Sequence, residues 1–253
     1  MGNRRPGITG YACSKNLRSG ISVTQPRQLP FVFPEGRIPS FELYYPGPNR
    51  EVFEHVRRLG EAPASLYLWG PSGTGKTHLL QAAGHEFSAL GRRACYLALA
   101  QNAELSPTIL EGLEDLDLVC IDELHSVAGN REWERALLHL YERLRDFGRC
   151  FVLASLESPG FINIDLPDLK SRLAWGLVFH LRQLDECDKI RALQWRAKLR
   201  GADLPDEVAK YLLRRKSRAM AELFRVLDEL DESSLAMQRR LTLPLMRAVL
   251  DRR

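Results

Sequence analysis

The chain has 253 residues, of which 45% are hydrophobic and 27% charged, enough for one large domain or a large and a small one. No run stays apolar for the ~18 residues of a membrane-spanning helix, and the opening MGNRRPGITG lacks the apolar centre of a secretory signal. Residues 1–30 hold five basic side chains and no acid, so of the formal +4 the remainder carries −1, which excludes bulk charge as a reason to bind nucleic acid.

Residues 1–24 are rich in Gly, Ser, Arg and Pro without a sustained period, which predicts a flexible tail. Residues 25–34 contain RQLPFVF, with Leu29, Phe31 and Phe33 alternating beside Gln28. That spacing fits a first strand and a short partner-binding peptide equally well. From about Val52, apolar strands alternate with amphipathic helices. SLYLW, RACYLAL, LDLVCID, RCFVLAS and GLVFHL are predicted strands. KTHLLQAAGHEFSAL is a predicted helix with Leu79, Leu80, Ala83 and Phe87 on one side, and REWERALLHLYERLRDF one with Trp133, Leu137, Leu140, Tyr141 and Leu144 inward. LPDLKSRL is a shorter predicted helix. The pattern predicts an α/β fold, a mostly parallel sheet with helices on both faces.

After Leu184 only helical spacing remains. DECDKIRALQWRAKLRG is closed by Gly201, and LPDEVAKYLLRRK opens near Pro205. SRAMAELFRVLDELDESSLAMQRR is helical with a break expected near Asp231 to Ser234, and TLPLMRAVLDRR is capped by Thr242. The boundaries are an α/β nucleotide-binding domain over 35–184 and a small helical domain over 185–253. Cys13, Cys95, Cys120, Cys150 and Cys187 form no CxxC pair, and the middle three lie in apolar runs. That scattered set fits buried thiols in a reducing cytoplasm.

The chemistry concentrates in GPSGTGKT. Gly70, Gly75, Lys76 and Thr77 match GxxxxGK[ST] between a strand and a helix. The glycines let backbone N–H groups turn onto phosphate oxygens, and the helix start adds partial positive charge. Lys76 is expected to reach the β and γ phosphates and Thr77 to bind Mg²⁺. Asp122 ends the strand LDLVCID and is expected to hold Mg²⁺ through water, while Glu123 is placed to polarise an attacking water. Asp117 is expected to be a solvated turn residue and His125 polar surface. His78 and His85 lie seven apart on one helix face without a third ligand, the spacing of packing or surface histidines. Arg172 lies near the end of a short helix just before a strand, where an arginine in P-loop proteins can face a neighbouring subunit.

GPSGTGKTHLL, LDLVCIDELHSVAG and LPDLKSRLAWGL resemble the ATPase module of the DnaA-type replication initiators of the AAA+ class. IPSFELYYPGPN is similar to the segment lining the adenine side in that family. RQLPF resembles the peptide that docks on the DNA polymerase sliding clamp. LPDLKSRLAWG, LRG..LP..V..YLL and AMQRRLTLP resemble the smaller regulatory inactivators of DnaA, the Hda family, over roughly 25–253. The resemblance implies ADP or ATP, with Mg²⁺, held by Pro46, Gly70, Pro71, Ser72, Gly73, Thr74, Gly75, Lys76, Thr77, His78 and Asp122. It implies that Gln28, Leu29 and Phe31 anchor the chain on the clamp, the β subunit of DNA polymerase III, so that DNA contact is mainly indirect. It implies that Arg172 is an arginine finger acting in trans on ATP bound to DnaA, which makes the chain a negative regulator of replication initiation. A homodimer is compatible with it, and no membrane is implied.

Two positions depart from the family pattern. Leu156, between Ser155 and Glu157, stands where an acidic sensor is usual, and Ala221 where a sensor arginine reaches the phosphates. Neither can position water or offset charge; Arg218 and Arg225 share the helical face of Ala221. Intrinsic hydrolysis is therefore expected to be weak or absent, although Lys76, Thr77, Asp122 and Glu123 are intact. The rival expectation is a self-sufficient AAA+ ATPase that loads or remodels a partner on DNA.

Overall fold

A computed structural model describes residues 39–100, 106–215 and 219–237. Gln28, Leu29, Phe31, Cys13, Arg218 and Thr242 lie outside the described residues. Five strands alternate with helices: α1 (Arg50–Arg57), β1 (Ser65–Trp69), α2 (Lys76–Ala89), β2 (Ala94–Ala98), β3 (Leu118–Asp122), α3 (Arg131–Asp146), β4 (Cys150–Ser155), α4 (Pro167–Trp175) and β5 (Leu177–His180). The strands form one sheet in the order β2-β3-β4-β1-β5, with every neighbouring pair parallel. Every residue of β3 and β4 is buried, as a central parallel strand covered on both faces requires.

The two-residue period of the strands sorts the core into two layers. Tyr67, Val119, Ile121, Phe151 and Leu153 face α3 and α4, meeting Leu137, Leu144, Leu169 and Leu173. Leu66, Leu68, Cys120, Val152 and Ala154 face α1 and α2, meeting Val52, Val56, Leu79, Leu80 and Phe87. The inward residues predicted for α3 are all buried. Helix α2 is buried on more than the predicted side, since Gln81, Ala82 and Gly84 are covered as well. Cys95, Cys120 and Cys150 are buried free thiols, and Cys187 is exposed.

Asp117 lies in the bend that enters β3, as expected, but it is only partly solvated and is paired. Its Oδ1 pairs with Arg149 at 2.6 Å and its Oδ2 accepts the Arg93 backbone N–H at 2.9 Å. One carboxylate thus ties together the N-terminal ends of β2, β3 and β4.

The C-terminal part is helical: α5 (Glu186–Lys198), α6 (Asp206–Arg215) and α7 (Met220–Met237). Its core is separate, built from Ala192, Leu193, Leu204, Val208, Leu212, Leu223 and Leu227. Gly201 closes the first of these helices in a left-handed conformation, φ +74°. The break expected at Asp231 to Ser234 does not occur, and α7 runs through it. Asp, Glu and Ser each weaken a helix by only a few tenths of a kcal/mol, and the segment has no Gly or Pro to end it. No helix among the described residues is long and apolar enough to cross a membrane.

Candidate nucleotide-binding site

The loop between β1 and α2 owes its shape to glycine. Gly73 and Gly75 have φ +80° and +92°, where a side chain strains the backbone. A Cβ on Gly73 would meet nothing within 4 Å, so this turn borders open space. A Cβ on Gly75 would lie 2.7 Å from Cε2 of Tyr44, a core residue whose ring stacks on Phe53 at 5.6 Å. Tyr44 is therefore the wall against which the loop is set. Thr74 braces the loop from within, donating to the Pro71 carbonyl at 3.0 Å. Pro71, Ser72 and Gly73 are exposed at its crest.

Lys76 and Thr77 open α2 beneath this loop. Lys76 is 8% exposed as a residue, and its ammonium donates to the carbonyls of Gly70 at 2.6 Å and Pro71 at 3.0 Å. Burial lowers its pKa, and the charges of Asp122 and Glu123 oppose that shift. The Thr77 hydroxyl donates to Asp122 Oδ2 at 2.6 Å, and Tyr96 on β2 donates to the same oxygen at 3.1 Å. Asp122 Oδ1 accepts the Glu123 N–H at 2.8 Å. A hydroxyl and a carboxylate in contact, at the foot of a glycine-shaped loop that opens a helix, fit the donors of a phosphate-bound divalent cation. Nothing in the strand pattern singled out Tyr96. Its part depends on β2 pairing with β3 so that Tyr96 and Cys120 are in register, two residues before Asp122.

Glu123 is strained. Its φ of 59° makes it the one non-glycine residue with positive φ among the described residues. Its Oε2 is buried without a hydrogen-bond partner. Both features carry a free-energy cost that nothing else at this position offsets within the described contacts. His125 is not simply polar surface, because its Nδ1 is buried and unpartnered.

His78 takes the packing role open to a helix histidine. Its Nε2 contacts the Ser40 carbonyl at 2.8 Å and its ring lies 5.6 Å from that of Tyr44. Pro46 leads into a turn, Gly47–Asn49, that is locked to the chain beyond β5: Asn49 exchanges hydrogen bonds of 2.8 and 2.9 Å with the Arg182 backbone. Leu184, Tyr45 and Asp188 fill the space around Gly47. Pro46, Tyr44, Phe53 and Trp195 line a cavity of about 580 Å³, and no residue of the loop Gly70–Thr77 lines it.

Of the departures, Leu156 is 41% exposed beyond the buried Ser155. Ala221 is exposed on α7, and Arg225 is engaged with Glu229 at 2.6 Å. Arg172 lies on α4 with 31% of its side chain exposed. Its Nη2 is 3.8 Å from Glu142 and its guanidinium stands 5.0 Å over the Trp175 ring, which is itself 69% exposed. The sequence also passed over Glu134, which is 1% exposed and holds three backbone N–H groups.

The family model for the bacterial DnaA ATPase domain matches residues 38–180, and the model for the Hda lid domain matches residues 185–250. Among solved structures, domain III of the Thermotoga maritima replication initiation protein DnaA aligns with a TM-score of 0.66 at 21% identity, over 87% of this chain and 98% of that one. AMPPCP-bound DnaA from Aquifex aeolicus aligns with a TM-score of 0.68 at 24% identity, over 82% and 68%. The Thermotoga maritima Holliday junction branch migration motor RuvB aligns at 0.61 and 16% identity, over 84% and 73%. These likenesses establish a shared fold. With the DnaA ATPase match spanning more than half of the residues and a lid match following it, the chain belongs to the DnaA-related AAA+ family and carries a lid of the Hda type.

Proposed function

We propose that this chain is a nucleotide-bound adaptor that restrains replication initiation. It docks on the sliding clamp through Gln28, Leu29 and Phe31, and supplies Arg172 in trans to ATP held by DnaA. Family membership supports a regulatory role beside the DnaA ATPase domain. The observation that carries the finger assignment is how loosely Arg172 is held. A surface ion pair at 3.8 Å contributes at most about 1 kcal/mol, and an exposed cation–π contact about 0.5–1 kcal/mol. The guanidinium leaves both at small cost, and charge forming on a γ-phosphoryl group more than offsets the move.

In the chain's own pocket, Gly70 to Thr77 and Asp122 hold the phosphates of ADP or ATP. Mg²⁺ at Thr77 and Asp122 would supply charge neutralisation of the phosphates. Leu156 and Ala221 support weak turnover there, so the enzyme activated is DnaA. The site of action is the cytoplasm, and the clamp mediates contact with DNA.

A second reading, an autonomous ATPase acting as loader or remodeller, draws support from the strained Glu123 and its unpartnered oxygen. Hydrolysis of DnaA-bound ATP, followed with clamp and DNA present, separates the two. Arg172→Ala is expected to lose stimulation by roughly 10³-fold while keeping nucleotide and clamp binding. Stimulation that survives refutes the finger. Gln28→Ala with Leu29→Ala is expected to end clamp pull-down, and sustained ATP turnover by the protein alone would favour the second reading.

A further inference from the structure

Helix α4 has no cap of its own. Its N-cap residue is Leu166, which makes no side-chain cap bond, and Pro167 follows. The sequence therefore leaves the first turn of the arginine-bearing helix without a local acceptor. What α3 supplies instead is a grip on the two residues that lead into the helix. Glu134 Oε2 accepts the Leu166 N–H at 2.8 Å, and Oε1 accepts the Asp165 N–H at 3.0 Å. The same Oε1 accepts the Gly129 N–H at 2.8 Å, at the end of the loop that leaves Asp122 and Glu123. The carboxylate is buried and faces three backbone donors. A buried carboxylate is tolerated only when so satisfied, and loss of an acceptor leaves buried amides unpaired.

We infer that Glu134 is the positioning residue of Arg172. It fixes the start of α4 to α3, and so fixes the direction in which Arg172 leaves the surface. The inference rests on the finger reading. Of the two acidic residues of α3 that face α4, Glu134 grips its start through backbone hydrogen bonds, whereas Glu142 stands only loosely beside Arg172 at 3.8 Å and leaves that side chain free to turn outward. Because Gly129 hangs from the same carboxylate as Leu166, the loop beyond Asp122 and the helix of Arg172 share one anchor. A displacement of about 1 Å in a group that must meet a reacting centre costs about 100-fold in rate.

Glu134→Gln keeps the size of the side chain and one acceptor oxygen, which is expected to stay where two N–H groups, of Gly129 and Asp165, converge rather than opposite the single N–H of Leu166. The substitution replaces Oε2, the acceptor of Leu166, by a donor. Hydrogen exchange is expected to rise at the Leu166 amide while Gly129 stays protected. The maximal stimulated rate of DnaA ATP hydrolysis is expected to fall about 10- to 100-fold, with the half-saturating concentration of DnaA, clamp binding and nucleotide binding unchanged. Glu134→Asp, which retains two acceptor oxygens, is expected to recover part of the rate. Raised exchange with full stimulation overturns the positioning role and leaves the finger standing. Full stimulation by a parallel Arg172→Ala overturns the finger, and the positioning role with it. A rate loss accompanied by loss of nucleotide and clamp binding marks general unfolding and also overturns the inference, as does unchanged exchange at Leu166.

Discussion

Gly73→Ala and Gly75→Ala form a matched pair that separates the loop's two duties. Both glycines have positive φ, so each alanine incurs a backbone strain of about 1–2 kcal/mol. The surroundings differ. At Gly73 the new methyl meets nothing within 4 Å, whereas at Gly75 it lies 2.7 Å from the Tyr44 ring. Tyr44 cannot swing aside freely, since it is 8% exposed and stacked on Phe53. Overpacking of that kind adds about 1–3 kcal/mol. At about 2–4 °C per kcal/mol for a chain of this size, Gly75→Ala is expected to melt roughly 2–12 °C below Gly73→Ala. Circular dichroism of the nucleotide-free variants reads the difference. Calorimetric titration with ADP gives the complement: Gly73→Ala loses affinity through a methyl placed at the crest of the loop, with stability less affected than in Gly75→Ala. If the two variants melt together, Tyr44 is not the wall of the loop.

Other substitutions probe the strand ends and the pocket. Glu123→Gly removes left-handed strain and a buried unpaired oxygen, so the urea midpoint is expected to rise by the equivalent of about 1 kcal/mol; a lower midpoint contradicts the strain. Asp117→Asn uncouples Arg149 and is expected to cost about 1 kcal/mol in low salt and less in high salt, measured by thermal melts at two ionic strengths. Burial holds the His78 imidazole below its ordinary 6.5, with the Ser40 carbonyl opposing and Arg196 reinforcing that shift. Below pH 6.5 the unfolded chain therefore takes up the proton more readily than the folded one, and stability contributed above that pH is lost as pH falls. Urea unfolding at about pH 7.5 and about pH 5.5 is expected to show a larger loss for the parent than for His78→Gln, and equal losses would assign the effect elsewhere.

The strands and the loop were legible because their signals are local. Short apolar runs bounded by Gly and charged turns placed β1 to β5 close to their observed bounds, and GPSGTGKT names its own backbone. In the lid, α5 and α6 followed from helical spacing and end signals in the same way, while the helix expected from Thr242 lies outside the described residues. What stayed hidden depends on distant partners. Asp117 has the look of a solvated turn residue until Arg149 and Arg93 arrive from neighbouring strands. Tyr96 becomes part of the site only through β2–β3 register. Glu134 occupies a helix position that spacing assigns to no special duty, yet two segments from outside α3 converge on it. The false break in α7 arose because a run of acidic and hydroxyl residues resembles a stop, when their individual penalties are too small to halt a packed helix.

Residues 40–49 touch both halves of the pocket's housing. Ser40 meets His78 on α2 and Tyr44 backs Gly75; Tyr45 bonds Asp188, the Glu42 carbonyl receives the Trp195 indole N–H, and Asn49 grips Arg182. This short stretch is an axle between loop and lid. Turning α5 relative to α2 would break one or more of these contacts, so the angle between the helical part and the loop is set by ten residues of irregular chain.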